Sequence, residues 1–342
     1  MRPQDADPEQ ATATALIRAQ LIGIGSAVPK KLLTNADLEK IVQTSDEWIV
    51  TRTGIRERHI VSEGEKFSDL CTKASELAMK RAHVKPEELD MILVGTISGD
   101  MPFPATACLV QKNLGASRAA ASDLSAACVG FLYGLHFADA LIQAQKAETV
   151  LVVGGEILSR YVDWTDRSTC ILFGDGAGAA VLRASKGDHG ILGSRMKSNG
   201  QYDDFICMPG GGSNHPANDP KSIEARLPFI KMRGNETFRV AVKAMADVTA
   251  DLLREQGFSN DDIKMFVPHQ ANARIIDAVS ERLKFPASRV YKNVDRFGNT
   301  SAASIPIALD ECVQKGLIKT GDLVLLTAFG AGLVWGSVLI RW

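Results

Sequence analysis

The stretch Ser125-Ala126-Ala127-Cys128-Val129-Gly130-Phe131 joins an apolar, strand-like run to a long apolar helical run that extends to Gln145. A cysteine at such a junction lies at a helix N-terminus, where unpaired N–H groups and the helix dipole favour the thiolate, the reactive form. A free cysteine is also commonly a small hydrophobic core residue. The position of Cys128 therefore allows two interpretations, a nucleophile and a packing residue.

Two later segments also place polar residues where apolar strands end. Val267 to Asn272 reads V-P-H-Q-A-N and contains His269, and Asn293 to Ser304 contains Asn299. The two halves of the chain are similar in pattern, because Cys128 and Asn299 each stand between a strand end and a helix that is followed by another strand. Duplicated units would bring these two residues to equivalent loops that face one cleft.

Short β-rich runs alternate with longer helical stretches, a pattern typical of an α/β protein with mostly buried sheets. The glycine-rich segment 174–178 lacks the G-x-G-x-x-G spacing and leads into a strand, so it is predicted to form tight turns rather than a dinucleotide-binding loop. Strands are predicted at 21–25, 91–96, 149–154, 178–183, 265–267, 323–328 and 336–340. Helices are predicted at 68–83, 105–114, 128–145, 234–256, 273–283 and 301–315.

Composition narrows the classes of function. The 342 residues are 45% hydrophobic and carry a net charge of −1, which suits a large core and argues against nucleic-acid binding as the main function. Six cysteines form no C-x-x-C pair, so we predict reduced thiols in a cytoplasmic protein and no metal site. The lack of an apolar run of about 20 residues predicts no membrane span. Residues 1–20 are predicted to be a poorly ordered tail.

Four segments together resemble the β-ketoacyl-acyl carrier protein synthase III family, which are condensing enzymes of the thiolase superfamily. The segments are Thr44 to Ile55, the residues around Cys128, Val267 to Asn272, and Gly298 to Ser304. The resemblance implies an α/β protein with the duplicated thiolase fold, five layers αβαβα, and a homodimer. The halves would span 21–185, with the nucleophile, and 186–342, with the histidine and asparagine.

The resemblance implies a catalytic triad of Cys128, His269 and Asn299. Cys128 would attack an acyl-CoA thioester while the backbone N–H groups of Cys128 and Ala331 stabilise the oxyanion. His269 and Asn299 would then stabilise the enolate formed when malonyl-acyl carrier protein loses CO2. Many relatives have glycine where this chain has Ala331, and the family's reaction needs no cofactor and no metal. Without the resemblance, His269 would be interpreted as a capping residue and Asn299 as a turn residue.

The resemblance also assigns binding residues, and for the tryptophan and the charged residues among them an ordinary solvated surface is the alternative. It implies that Phe103 and Phe329 border the acyl pocket and that Phe103 reaches across a dimer interface. A bulky ring at this place favours a short primer such as acetyl. Alternatively, Phe103 is an interface anchor. The CoA-binding residues would be Thr44, Trp48, Arg52, Arg167, Gly234, Phe238 and Asn272. The acidic carrier protein would dock on Arg239, Lys243, Arg274 and Arg282, a patch that Glu281 weakens.

Other functions are weighed against this one. Thiolases need a second cysteine before Trp335, elongating synthases need a second histidine, and plant-type polyketide synthases are longer and lack the Thr44 to Ile55 segment. A papain-like hydrolase would need peptidase signatures around Cys128, and a non-catalytic subunit would have lost that cysteine. A synthase III relative of a secondary pathway, with a different acyl donor or acceptor, is the alternative that stays open.

Overall fold

The computed structural model describes residues 17–342. Most of the strands in this part of the chain lie in two sheets, one of five strands and one of four. In chain order the strands are β1 (Ile17–Ala27), β2 (Leu32–Thr34), β3 (Glu57–His59), β4 (Met91–Gly95), β5 (Ala120–Leu124), β6 (Thr149–Ile157), β7 (Asp175–Lys186), β8 (Gly190–Ser198), β9 (Ile206–Cys207), β10 (Lys231–Met232), β11 (Met265–Pro268), β12 (Leu323–Gly330) and β13 (Val334–Arg341). The α-helices are α1 (Asn35–Leu38), α2 (Asp46–Thr53), α3 (Phe67–Ala82), α4 (Thr106–Leu114), α5 (Gly130–Gln143), α6 (Pro220–Glu224), α7 (Gly234–Gln256), α8 (Ala273–Arg282), α9 (Val294–Phe297) and α10 (Ser304–Gln314).

The two sheets share one topology. The first has the order β1-β7-β6-β4-β5 and the second the order β8-β13-β12-β11. In both, the first two pairings are antiparallel and the third is parallel. Where the first sheet has β5, the second has a single parallel bridge between Phe266 and Val290. The loop before α5 and the loop before α10 therefore occupy equivalent places, while the division of the chain at 185/186 stays a prediction.

The layers follow from the alternation of side chains along the strands. In β6, Val150 and Val152 face a central core that contains α5 and α10, whereas Leu151 and Val153 face an outer core that contains α3 and α4. The same alternation in β12 separates the central core from a third core formed with α7 and α8. The order of layers is αβαβα, which confirms the expected fold.

The structure corrects three details of the sequence analysis. Residues 17–20, assigned to the tail, belong to β1, and the rest of the predicted tail lies outside the described residues. The segment 174–178 is not a set of turns, because β7 begins at Asp175. Its glycines allow α10 to approach the strand, since a Cβ at Gly178 would lie 2.6 Å from the Pro306 Cβ. Strand β8, whose mixed polar sequence obscures its period, was not predicted.

Candidate active site

One cleft contains the three residues of the predicted triad. It has a volume of about 730 Å³ and is lined by Cys128, His269 and Asn299, together with residues of α2, α7 and α8. Cys128 comes from the first half of the chain, and the other two residues come from the second. The equivalent loops of the two sheets thus meet at one place, as the pattern of the sequence predicts.

Cys128 lies in a 3-10 turn, Ala127–Val129, that leads into α5. The Ser301 hydroxyl donates a hydrogen bond to the Cys128 sulfur over 3.2 Å. Burial nevertheless raises the pKa of the Cys128 thiol to about 12, and the Ser301 hydrogen bond offsets this only in part. A helix N-terminus contributes at most about 2 kcal/mol, or about 1.5 pKa units, to stabilising an anion. The sequence analysis expected a stabilised thiolate, whereas burial leaves the free enzyme with a protonated thiol at neutral pH.

His269 immediately follows β11 and is held both by its backbone and by one nitrogen of its ring. Its backbone N–H donates to the Thr327 carbonyl over 2.8 Å, and its Nδ1 lies 2.7 Å from the Ser304 hydroxyl. That hydroxyl oxygen also accepts the Gln270 N–H at 3.3 Å, and we assign its proton to the contact with Nδ1. Nε2 then carries the imidazole proton. Burial lowers the pKa of His269 to about 3, so the ring is neutral near pH 7 and acts as a hydrogen-bond donor.

Asn299 is held mainly by backbone hydrogen bonds. Its N–H donates to the Leu172 carbonyl at 2.8 Å, and its carbonyl accepts the Gly174 N–H at 3.0 Å. The side-chain Oδ1 accepts the Ser301 N–H at 2.9 Å. Because the oxygen of the amide is engaged in this way, Nδ2 is the group left to donate into the cleft. Asn299 and His269 therefore present two neutral N–H donors.

A second, smaller cavity also adjoins Cys128 and shares Phe173 and Ile206 with the lining of the main cleft. Its volume is about 80 Å³, and Ala331 lines it together with Cys128. Phe329, predicted to border the acyl pocket, lines the main cleft instead, and Phe103 is 84% exposed and lines neither space. The apolar side chains that do line the small cavity were missed, because they come from separate segments and carry no motif: Ile97, Leu158, Phe173, Cys207, Met208 and Ile230.

At the outer end of the cleft, two arginine side chains pack on the indole of Trp48. The guanidinium carbons of Arg52 and Arg167 lie 4.3 and 4.8 Å from the centre of the Trp48 ring. Both arginines, which are predicted to bind CoA, therefore pack on Trp48. Gly234, Phe238 and Asn272, also predicted to bind CoA, line the cleft.

Thr44 lies outside the cleft lining, two residues ahead of α2, and its buried hydroxyl has no partner among the described residues.

The four predicted docking cations fall into two pairs. Arg239 and Arg274 line the cleft and are exposed. Lys243 and Arg282 both contact one carboxylate, Asp247, the second at 3.5 Å. The sequence analysis missed that Asp247, four residues after Lys243 on the same predicted helix, would partly neutralise this half of the patch.

Two features are absent from residues 17–342. No helix there is long and apolar enough to cross a bilayer. No cluster of three or more His, Cys, Asp or Glu side chains in the same range is arranged to hold a metal ion.

A cysteine that shares a cleft with two neutral N–H donors, at the meeting point of duplicated α/β halves, is typical of the thiolase-like condensing enzymes, a class of acyltransferases. Family models agree with this assignment. The model of 3-oxoacyl-[acyl-carrier-protein] synthase III matches residues 122–200, and the model of its C-terminal part matches residues 253–342.

Similar proteins are known over almost the full length. The β-ketoacyl-[acyl-carrier-protein] synthase III of Caldanaerobacter subterraneus is 52% identical, over 95% of this chain and 98% of its own. The crystal structure of the 3-oxoacyl-[acyl-carrier-protein] synthase III of Aquifex aeolicus is 47% identical, with a TM-score of 0.88 over 95% of this chain and all of that one. A priming β-ketosynthase of the R1128 polyketide pathway is 34% identical, with a TM-score of 0.90 over 94% and 96% of the two chains. The chain belongs to the β-ketoacyl-[acyl-carrier-protein] synthase III family.

Proposed function

We propose that this protein is the initiating condensing enzyme of type II fatty acid synthesis. It transfers an acyl group from acyl-CoA to Cys128 and condenses it with malonyl-acyl carrier protein, giving 3-ketoacyl-acyl carrier protein, CoA and CO2. The observation that carries this proposal is the meeting of Cys128, His269 and Asn299 in one cleft. Relatives named for this activity, at 46 to 52% identity, are more similar than the polyketide priming enzyme at 34%.

In the first half-reaction the Cys128 sulfur attacks the thioester carbon of acyl-CoA. The C–S bond to CoA breaks, and the thiol proton ends on the CoA sulfur. The backbone N–H groups of Cys128 and Ala331 are the donors for the oxyanion. Gly330 supports this arrangement, because its backbone lies directly against Cys128: a Cβ there would be 2.9 Å from the Cys128 amide nitrogen.

In the second half-reaction the malonyl C–C bond breaks, and its electron pair forms an enolate. Nε2–H of His269 and Nδ2–H of Asn299 donate to the enolate oxygen, and CO2 leaves. The enolate carbon then attacks the acyl carbon on Cys128, and the released sulfur regains a proton. Because both donors are neutral, neither must be charged in an apolar site before the reaction, and both act where negative charge develops.

CoA would lie along the cleft with its adenine at Trp48. Stacking on an indole holds a base without hydrogen bonds to its edges. For the adenine to enter, Arg167 would leave the indole and pack on the outer face of the base, while Arg52 stays at the nucleotide end with Thr44 nearby. The pantetheine arm would then pass Gly234, Phe238 and Asn272, which line the route towards Cys128.

The small cavity supports a short primer. Its volume of about 80 Å³ is far smaller than the 730 Å³ of the main cleft, which suits a short acyl group such as acetyl better than a long chain. Phe103 would add to this limit from the partner subunit of a homodimer. The strand β5 lies at the edge of its sheet, and Met101 and Phe103, in the segment before α4, are exposed, which suits an interface of this kind.

The acidic carrier protein would approach the exposed pair Arg239 and Arg274, with Lys243 and Arg282 in supporting positions because Asp247 shares their charge. We also propose a cytoplasmic location, which is consistent with six cysteines that are all free.

The test is intact-protein mass spectrometry after incubation with acetyl-CoA and longer acyl-CoAs, followed by a chase with malonyl-acyl carrier protein. We expect one acetyl adduct on the wild type and on the control Cys108→Ala, none on Cys128→Ala, and discharge as 3-ketoacyl-carrier protein. An adduct that only a longer or unusual donor forms, or that the chase does not discharge, would favour the secondary-pathway enzyme. No adduct with any donor would refute the role of Cys128.

A further inference from the structure

Arg58 is a buried cation outside the site described so far. It lies in β3, its side chain is fully buried, and it is the largest fully buried side chain among the described residues. Its guanidinium donates to three oxygens: the Leu33 carbonyl at 3.2 Å, Asn35 Oδ1 at 2.9 Å and the Ile171 carbonyl at 2.7 Å. Its Nε–H has no acceptor, and the described residues provide no carboxylate as an ion-pair partner.

The third of these hydrogen bonds leads to the active site. Ile171 belongs to the segment that holds Asn299, because the Leu172 carbonyl accepts the Asn299 N–H and the Gly174 N–H donates back to the Asn299 carbonyl. Arg58 also packs directly under this segment. Its Cβ is 3.2 Å from where a Cβ at Gly298 would lie, and 3.1 Å from the same point at Gly174. Arg58 thus supports both strands of the short ladder that orients Asn299.

The second hydrogen bond leads to the other end of the cleft. Asn35, whose Oδ1 accepts from Arg58, donates through Nδ2 to Asp46 Oδ1 and to the Ile55 carbonyl, both at 2.8 Å. These two acceptors flank α2 at its first turn and just beyond its last. The helix that carries Trp48 is therefore joined through Asn35 and Arg58 to the ladder of Asn299.

We infer that Arg58 is a positioning residue for the decarboxylation step. Its contacts with the segment from Ile171 to Gly174 keep the side-chain amide of Asn299 directed into the cleft. The inference rests on the proposed function. Cys128 and His269 are held by other elements, namely α5 with β12 for the cysteine and β11 with Ser304 for the histidine. Arg58 reaches Cys128 only indirectly, through Asn299 and Ser301, so acylation of Cys128 should depend on Arg58 much less than decarboxylation does.

The chemistry of arginine explains why this residue type is present. A rigid, planar group with several N–H donors can bond oxygens that lie in different directions, which lysine cannot do with the same geometry. Burial lowers the pKa of Arg58 to about 10, so the group is still charged at neutral pH and requires its oxygen partners. Removal of the side chain leaves the Ile171 carbonyl without its donor and opens a space beneath Gly298.

The experiment measures two partial reactions on the full-length chain. Acylation is the rate of acetyl transfer from acetyl-CoA to Cys128, measured by quenched mass spectrometry. Decarboxylation is CO2 release from malonyl-acyl carrier protein. For Arg58→Met we expect decarboxylation to fall at least ten-fold and acylation to change by less than three-fold. Arg183→Met is the matched control, because this substitution also removes the hydrogen bonds of an arginine, here to Thr149 and Glu88, at the end of β7 far from the active site. Both partial reactions of this variant should proceed at the wild-type rate.

A double-mutant cycle separates positioning from general destabilisation. If Arg58 acts through Asn299, then Arg58→Met combined with Asn299→Ala decarboxylates no more slowly than Asn299→Ala alone. Equal loss of both partial reactions in Arg58→Met, or additive loss in the double variant, would overturn the inference. If Arg58→Met does not fold, the test uses Arg58→Lys and Arg58→Gln, in which the rate of decarboxylation is divided by the rate of acylation. A ratio within two-fold of the wild-type ratio refutes the inference. A wild type that neither acylates nor decarboxylates refutes the proposed function, and this inference with it.

Discussion

The contact between Gly330 and Cys128 gives a quantitative test of the acylation site. Gly330 is the last residue of β12, and it has no positive φ, so an alanine there meets no backbone strain. The obstacle is contact: a Cβ would lie 2.9 Å from the Cys128 amide nitrogen, 3.3 Å from its Cβ and 3.4 Å from Val129 Cγ2. Since the closest of these atoms belongs to the backbone, rotation of a side chain does not relieve the overlap.

The expected size of the effect follows from these distances. Non-bonded heavy atoms pack at about 3.5 Å, so the turn that carries Cys128 must retreat by about 0.6 Å in Gly330→Ala. A misplacement of about 1 Å in a reacting group costs about 100-fold in rate, so a shift of 0.6 Å predicts a loss of about ten-fold in acylation. The overpacking itself should destabilise the fold by about 1–3 kcal/mol. Decarboxylation should stay within about three-fold, because His269 and Asn299 are held by different contacts.

The assay is the rate at which acetyl-CoA acylates Cys128, measured by quenched-flow mass spectrometry, with CO2 release from malonyl-acyl carrier protein measured in parallel. Gly200→Ala is the matched control, because a Cβ at Gly200 would meet no atom within 4 Å. Acylation by Gly330→Ala at a rate within two-fold of the wild type would refute the argument that Gly330 fixes the position of Cys128.

Three further changes test single interactions. Ser301→Ala removes the hydroxyl that donates to Cys128 but keeps the backbone N–H that donates to Asn299. Alkylation of Cys128 by iodoacetamide at pH 8 should therefore slow about ten-fold while the rate of decarboxylation is unchanged. A parallel loss in both rates would contradict this. Trp48→Ala should raise KM for acetyl-CoA about ten-fold and leave acetyl-pantetheine kinetics unaffected, whereas equal effects on both donors would exclude adenine stacking. Because the pKa of His269 is lowered to about 3 in the folded chain, this histidine binds a proton below pH 6.5 in the unfolded chain but stays neutral in the folded chain. Wild type should then lose about 1.4 kcal/mol more stability per pH unit than His269→Asn as pH falls below 6.5, and parallel denaturation curves would disprove it.

The fold was predictable because its signals are local. The apolar runs of β6 and β12 are buried on both faces, so they appear in the sequence as continuous hydrophobic segments. Strand β8 was missed because its side chains are mostly half-buried and its sequence mixes glycine with charged residues. The segment at 174–178 was misinterpreted because its glycines serve a close contact with α10, which is distant in sequence.

The site was predictable only in part, for the same reason. Cys128, His269 and Asn299 lie at strand or helix ends, and sequence patterns mark such ends. The side chains of the small cavity come from segments far apart in the chain, and Arg282 is likewise distant in sequence from its acceptor Asp247. Arg58 is the clearest example: in the sequence it is one charged residue among several, and only the structure shows it buried against carbonyl groups.

Burial accounts for the protonation states of both titratable groups in the triad. It raises the pKa of Cys128 and lowers that of His269, so each group is neutral in the free enzyme. A neutral thiol must be deprotonated during its reaction, which slows acylation and makes the Ser301 hydrogen bond and the Gly330 contact important. A neutral histidine is ready to donate to an enolate, and the dry surroundings that keep it neutral also strengthen that hydrogen bond. The same apolar cavity therefore makes the first step harder and the second step easier, which is why the supporting contacts around Cys128 and around Asn299 should be separable by mutation.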